Sequence, residues 1–194
     1  MSVEIVYISI YSYFLGSIPF GLVLTKIFLN KDLREIGSGN IGATNAFRTG
    51  KKSLGVLTLL LDGLKVYLSI FITLNYLPEY IYFSALICFL GHIFPVWLKF
   101  KGGKGVAVYL GILVSFSINL SIFFIVSWLT ILFFSKYSSL SSLISTLLIF
   151  IYTIIFKSFN ESVFFFTIFI IIIYTHRENI VRLKNKKENK IKIY

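Results

Sequence analysis

The sequence predicts an all-α integral membrane protein of about seven transmembrane helices, forming a single polytopic domain over residues 1–194. Three observations lead there. The composition is 57% hydrophobic and only 14% charged, with a mean hydropathy of +0.85, which is too apolar for a soluble domain and, at this length, too short for several domains. Apolar runs of membrane-spanning length recur from end to end. Between them the basic residues collect in alternate connections, as they do when one face of a bilayer is cytoplasmic.

A spanning helix takes ~20 mostly apolar residues. The first such run covers 4–29; it contains Glu4 and no Lys or Arg before Lys26, so it lacks the basic start of a cleavable signal peptide and is expected to stay in the mature protein. Pro19 should kink it and free a carbonyl, which a membrane tolerates where another polar group compensates. The second run, 53–75, carries Asp62 and Lys65 in mid-span at i, i+3, where they neutralise each other as an internal ion pair that supports the bundle. Pro78 fits the turn into the third run, 79–98, where Pro95 should give a second kink. Cys88, the single cysteine, reads as a small packed residue, which leaves no internal disulfide and no thiolate zinc cluster. The stretch 104–135 is too long for one crossing, and a turn at Asn119 divides it into 104–118 and 119–135. Runs at 139–157 and 162–176 complete the seven, and the Ile/Phe-rich last one reads as lipid-facing.

Orientation follows from Lys and Arg. With the N-terminus outside, the loop 30–52 (Lys31, Arg34, Arg48, Lys51, Lys52), the loop near 100 (Lys99, Lys101, Lys104) and the tail (Arg177, Arg182, Lys184, Lys186, Lys187, Lys190, Lys192) all face the cytoplasm. The opposite connections, around Tyr76 to Glu79, Asn119, and Lys157 to Glu161, hold one lysine between them. The span count and the charge rule therefore agree on a cytoplasmic C-terminus.

Three polar segments then share one membrane face. The first, Gly37-Ser38-Gly39-Asn40-Ile41-Gly42-Ala43-Thr44-Asn45-Ala46-Phe47-Arg48, interleaves glycine with hydroxyl and amide side chains, so its backbone can turn N–H groups onto one anion while Arg48 adds a charged fork. The competing reading is an ordinary polar turn. The second is Gly91-His92-Ile93-Phe94-Pro95 running into Phe100-Lys101-Gly102-Gly103-Lys104-Gly105. It lacks the first glycine and the terminal Ser/Thr of a Walker loop, so an NTPase is excluded. What remains is a helix start with two cations and unhindered backbone N–H groups, suited to a phosphate monoester. His92 within it reads as a hydrogen-bonded packing group. In the third segment, His176-Arg177-Glu178-Asn179-Ile180-Val181-Arg182-Leu183, His176 and Asn179 project from one helical face and could bind substrate oxygen or supply a base. Ser138, Ser139, Ser141 and Ser142 flank a span start, with one hydroxyl for a pocket and the others for capping.

Other chemistries lack their residues. With eight acidic residues and no DxxxD pair, a two-metal transferase or phosphatase has nowhere to hold its ions. Neither histidine is followed five residues later by Asp, those positions being Trp97 and Val181. A transporter would place polar groups near the midplane of several helices, often in repeated halves, and remains the alternative function.

From Gly16-Ser17-Ile18-Pro19-Phe20-Gly21 through the three segments to Leu183, the chain resembles the bacterial acyl-phosphate:glycerol-3-phosphate acyltransferase family, PlsY. The resemblance implies a seven-helix enzyme of the bacterial inner membrane, with its active site on the cytoplasmic side, that moves a fatty acyl group from acyl phosphate to glycerol 3-phosphate and yields lysophosphatidic acid and phosphate. It implies catalytic roles for Ser38, Arg48, Lys104, His176 and Asn179, and substrate contacts from Gly39, Asn40, Thr44, Asn45, Lys101, Gly102, Gly103 and Ser139. It also implies no metal or other cofactor, no nucleic acid, membrane lipids as neighbours, and action as a monomer. Two positions depart from the family pattern: Val108 stands where Thr is common, and Lys186 where Gly is common.

The topology is testable by cysteine labelling in a Cys88→Ala background. A thiol at position 78 should react from outside the cell and one at position 185 only after permeabilisation, and the reverse pattern would refute the orientation.

Overall fold

The computed structural model describes residues 3–191, and every regular element among them is helical. In chain order these are α1 (Val3–Ser17), α2 (Phe20–Leu29), α3 (Ala43–Phe47), α4 (Lys52–Tyr76), α5 (Ile81–Ile93), α6 (Val106–Phe116), α7 (Ile118–Ser135), α8 (Ser138–Phe156), α9 (Phe159–Thr175) and α10 (Arg177–Lys184), with short 3-10 turns at Leu33–Glu35, Pro78–Tyr80 and Val96–Leu98. The chain forms two compact units, Met1–Phe116 and Ser117–Tyr194.

Each of the seven apolar runs is helical, but they are not equal. Five stretches are long and apolar enough to cross a bilayer: Val3–Leu29, Lys52–Tyr76, Pro78–Leu98, Ile118–Ser135 and Ser138–Phe156. The pair α9 and α10, bent by 60°, gives a sixth if taken as one span. At 11 residues α6 rises only about 16 Å, roughly half of a hydrocarbon core. The chain turns at Ser117, whose hydroxyl caps α7 by accepting the Leu120 N–H, so Asn119 lies in the first turn of α7 rather than at the break.

In the first unit, α1 packs on α5 through glycine. A Cβ on Gly16 would overlap the backbone of Cys88, and one on Gly91 the backbone of Tyr13. Gly111 of α6 likewise abuts the Gly63 carbonyl of α4. Hydroxyls then tie α1, α4 and α5 together: Ser84 Oγ lies 3.1 Å from Ser12 Oγ and 2.9 Å from Ser69 Oγ, and the Tyr11 hydroxyl bonds Thr73. Between helices in an apolar medium such bonds are worth ~0.6–2 kcal/mol each. One face of α4 is thus a buried polar stripe of Thr58, Asp62, Lys65, Ser69 and Thr73, while Leu57, Leu60, Leu64, Leu68 and Phe71 are exposed as a lipid-facing surface.

Two interruptions of helix sit at prolines in this unit. Pro19 interrupts a single spanning stretch, α1 stopping at Ser17 and α2 resuming at Phe20 within Val3–Leu29, as expected of a kink, and Pro95 follows the end of α5 at Ile93. Beside Pro19 the freed Ile18 carbonyl accepts from Lys65 Nζ at 2.9 Å, and the same ammonium sits 2.9 Å from Asp62 Oδ1, which bears out the mid-span ion pair. After Pro95 the chain folds back along α5, with the Gly102 N–H bonded to the Ile93 carbonyl (2.9 Å) and the Gly103 N–H to the His92 carbonyl (3.1 Å). His92 Nδ1 is itself 2.9 Å from Lys65 Nζ, and Lys65 is midway along α4, so the glycine loop reaches the level of that helix's centre. Helix α6 is short because it starts there.

In the second unit α7 packs on α8 and α8 on α9, with Trp128 Nε1 donating to Ser142 Oγ at 3.0 Å. A capping box between Ser158 and Glu161 starts α9.

Asp62→Asn should destabilise the purified protein by about 3–5 kcal/mol, because it leaves a buried ammonium without its counter-charge. Leu60→Ala on the lipid-facing side of the same helix should change little. Equal thermal unfolding of both variants in detergent would contradict the ion-pair assignment.

Candidate active site

The loop before α4 is built around Asn45. This side chain is 1% exposed, and its amide nitrogen reaches the carbonyls of Leu33 (3.0 Å), Ile36 (2.8 Å) and Asn40 (2.8 Å). Its Oδ1 accepts the Ser38 N–H at 3.0 Å. Asn45 was expected to contact substrate; with both ends of its amide engaged by the loop, it acts instead as the strut that shapes it. The strut holds Ser38 exposed at the tip between Gly37 (φ 55°) and Gly39 (φ 72°), left-handed positions that favour glycine.

Arg48 closes α3 and lays its side chain over Gly37: a Cβ there would come within 2.9 Å of Arg48 Cδ and 3.5 Å of Nη1. It is half-buried, and among the described residues no carboxylate pairs with it. Arg34 provides the contrast. Its guanidinium is locked on Asp32, with Nη2 2.6 Å from Oδ2 and Nε 3.0 Å from Oδ1, and hydrogen bonds from Arg34 pull the Asp32 carboxyl down to about 2. One arginine of the loop is paired with a carboxylate and the other, among the described residues, is not. Asn40 and Thr44 of the same segment are half-buried.

In the second loop Lys101 is exposed and Lys104 half-buried. The expected set of unhindered amides is corrected here, because the Gly102 and Gly103 N–H groups already bond Ile93 and His92. These glycines serve close packing: a Cβ on Gly102 would strike the Pro95 ring at 2.5 Å, and one on Gly103 the His92 imidazole at 2.7 Å. Gly105 (φ 86°) makes the turn into α6. Val108, where a hydroxyl was in question, is fully buried.

The second unit gathers its polar residues on a carboxylate that the sequence reading missed. Glu188 Oε1 accepts from Ser139 Oγ (2.8 Å) and Asn179 Nδ2 (2.6 Å), and Oε2 from Arg182 Nε (2.7 Å). Ser139 and Asn179, expected to face substrate, therefore anchor the tail through these atoms. Burial pushes the Glu188 carboxyl up, but the bonds from Arg182, Asn179 and Ser139 prevail and hold it below its ordinary value. Lys186, at the position where Gly is common in the family, adopts φ 56°, so the turn geometry is kept at a steric cost. The hydroxyls of Ser141 and Ser142 bond back to the carbonyls of Tyr137 and Ser138 rather than capping the start of α8. His176 sits at the bend between α9 and α10, where Nδ1 donates to the Ile172 carbonyl at 2.9 Å; in the neutral ring this fixes the Nδ1–H tautomer and leaves the lone pair on Nε2. Among the described residues no group of three or more His, Cys, Asp or Glu could hold a metal ion.

Comparison with known proteins matches these segments to one family. The profile of the glycerol-3-phosphate acyltransferase family matches residues 6–186. The glycerol-3-phosphate acyltransferase of Pelagibacter ubique is 58% identical over 192 residues, 98% of this chain and 100% of the relative; that of Ehrlichia canis is 47% identical over 95% of this chain and 97% of its own. Crystal structures of PlsY, an integral membrane glycerol 3-phosphate acyltransferase, superpose with a TM-score of 0.91 at 37% identity for its glycerol 3-phosphate form, covering 97% of this chain and 96% of PlsY. The lysophosphatidic acid form gives 0.89 at 36% identity.

Because Glu188 titrates lower folded than unfolded, its contribution is present above the ordinary carboxylate range and lost as pH falls through its depressed folded value. Protease resistance of the tail should fall in the same acidic window, and Glu188→Gln should abolish that dependence. Lys186→Gly should stabilise the tail by up to about 1 kcal/mol by removing a left-handed side-chain residue; a destabilised variant would contradict the φ assignment.

Proposed function

Because the chain belongs to the glycerol-3-phosphate acyltransferase family, we propose that this integral membrane acyltransferase joins an acyl group from acyl phosphate to glycerol 3-phosphate, releasing lysophosphatidic acid and phosphate. The family assignment favours this over an anion transporter. The observation that carries the reading is Arg48, a half-buried guanidinium with no carboxylate partner among the described residues, laid over a glycine beside an exposed serine.

An acyl phosphate is a mixed anhydride and brings its own leaving group. The acceptor hydroxyl attacks the acyl carbon, a new ester C–O bond forms, the bond from that carbon to the phosphate oxygen breaks, and the hydroxyl proton passes to a phosphate oxygen of the donor. The protein's task is then to hold two phosphate-bearing molecules together against their repulsion. Arg48 and Lys104 supply fixed charge, Lys101 adds an exposed cation, and Ser38 with Gly39, Asn40 and Thr44 shapes the anion site. His176, with its Nε2 lone pair, is the alternative proton acceptor. The excess of Lys and Arg in these loops supports a cytoplasmic site at the inner membrane, with membrane lipids as neighbours and a monomer as the working form.

Arg48→Ala and Lys104→Ala should each lower kcat/KM by about 10- to 100-fold, the worth of a charged hydrogen bond of ~1.5–3 kcal/mol, with thermal unfolding unchanged. A variant turning over at the normal rate would remove that residue from the site.

The donor is tested with labelled glycerol 3-phosphate and purified protein. Product should form from acyl phosphate and not from acyl-CoA, and glycerol should be a poor acceptor because the acceptor phosphate supplies binding energy. Comparable product from acyl-CoA would overturn the donor assignment.

A further inference from the structure

We propose that His92 is a positioning residue: the Asp62–Lys65 pair holds its ring through Nδ1, and the ring and carbonyl of His92 together set Gly103, and so the adjacent Lys104, where Lys104 meets a substrate phosphate. The inference rests on the acyltransferase reading above.

The Lys65 ammonium has its counter-charge in Asp62, with Oδ1 at 2.9 Å in an ion pair, and donates hydrogen bonds to the Ile18 carbonyl at 2.9 Å and to His92 Nδ1 at 2.9 Å. An ammonium only donates, so Nδ1 accepts and the neutral ring carries its proton on Nε2. A ring flip would aim a C–H at Lys65 and leave one of its protons without an acceptor, which in a site where His92 is 4% and Lys65 2% exposed is costly. The orientation is thereby fixed. On its other side the ring lies against Gly103 so closely that any side chain there would overlap the imidazole. The His92 carbonyl takes the Gly103 N–H at 3.1 Å. Gly103 is therefore held by backbone and ring of one residue, and Lys104 follows one peptide unit later. A histidine serving only helix packing requires neither contact with the loop. Because phosphate contacts in catalysis are sensitive to shifts of about 1 Å, a device that fixes Gly103 acts on substrate binding without touching substrate.

The test compares kcat and KM for acyl phosphate and for glycerol 3-phosphate in the wild type, Lys104→Gln, His92→Ala, His92→Asn and His92→Gln, with thermal unfolding of each. Lys104→Gln identifies the substrate whose KM depends on this loop. His92→Ala should raise the KM of that same substrate about tenfold and leave the other within about twofold. His92→Asn, whose Oδ1 stands where Nδ1 stood, should restore most of the loss, whereas His92→Gln, whose polar end reaches the Nε2 position, should not. An unchanged KM in His92→Ala, a rise in the KM of the other substrate, or Gln restoring as well as or better than Asn would overturn the proposal. If His92→Ala fails to fold, the Asn and Gln order decides by itself. Absence of lysophosphatidic acid from the wild type would instead overturn the acyltransferase reading.

Discussion

A charged amine in the middle of an apolar bundle persists only if its charge is balanced and polar atoms surround it, and Lys65 meets both conditions within one cluster. Asp62 supplies the counter-charge, three residues back on the same helix. The other two acceptors come from places where the chain has departed from helix or is about to: the Ile18 carbonyl freed beside Pro19, and His92 at the last turn of α5. The dependence runs both ways. Lys65 gives the Ile18 carbonyl a second donor beside the Phe20 N–H at 3.1 Å, and without the two helix ends the ammonium would lack partners. Through this arrangement a bundle of apolar helices accommodates two non-helical segments, and the depth of the glycine loop and the shortness of α6 follow from it.

The helices and the ion pair were legible because their signals are local. Apolar runs mark the helical segments, i, i+3 spacing puts Asp62 beside Lys65, and Pro19 and Pro95 mark helix ends to within two residues. Asn119 was close to the break but wrong, since the hydroxyl that caps α7 belongs to Ser117, and the local pattern offers both residues as turn formers. What stayed hidden depends on partners distant in sequence. His92 and Lys65 are 27 residues apart, and no periodicity joins them. Ser139 and Glu188 are 49 apart. The amides of Gly102 and Gly103 read as open because a glycine-rich loop before a helix is open in isolation; only the fold shows that the end of α5 supplies their acceptors. Asn45 stood among candidate ligands for the same reason, its amide being equally suited to a phosphate or to the three carbonyls it holds.

The two arginines of the first loop show how a site can be told from a stabilising contact. Both lie in one basic connection, and composition treats them alike. Arg34 meets a carboxylate two residues away through Nε and Nη2, a pair that balances its charge and ties it to the loop. Arg48 has its stem on Gly37 and no such partner among the described residues. A half-buried guanidinium without a carboxylate partner is a local cost that a bound anion removes, and on that ground Arg48 rather than Arg34 is the residue proposed for the chemistry.

The same reasoning explains why so few side chains need to act as acids or bases. The proposed donor carries its own leaving group and its own proton acceptor, which moves the difficulty from bond breaking to assembly, because the acceptor hydroxyl must be held against the acyl carbon while two phosphates repel each other. Assembly is served by rigid charge. The first unit supplies it with short connections whose backbones are bonded internally: Asn45 fixes the loop that carries Ser38 and Arg48, and the end of α5 fixes the loop that carries Lys104. In each case an uncharged buried side chain, an amide or an imidazole, holds the backbone next to a cation. Fixing the backbone orients the cation without a dedicated carboxylate, and a carboxylate placed to orient the same cation would compete with a bound anion for it.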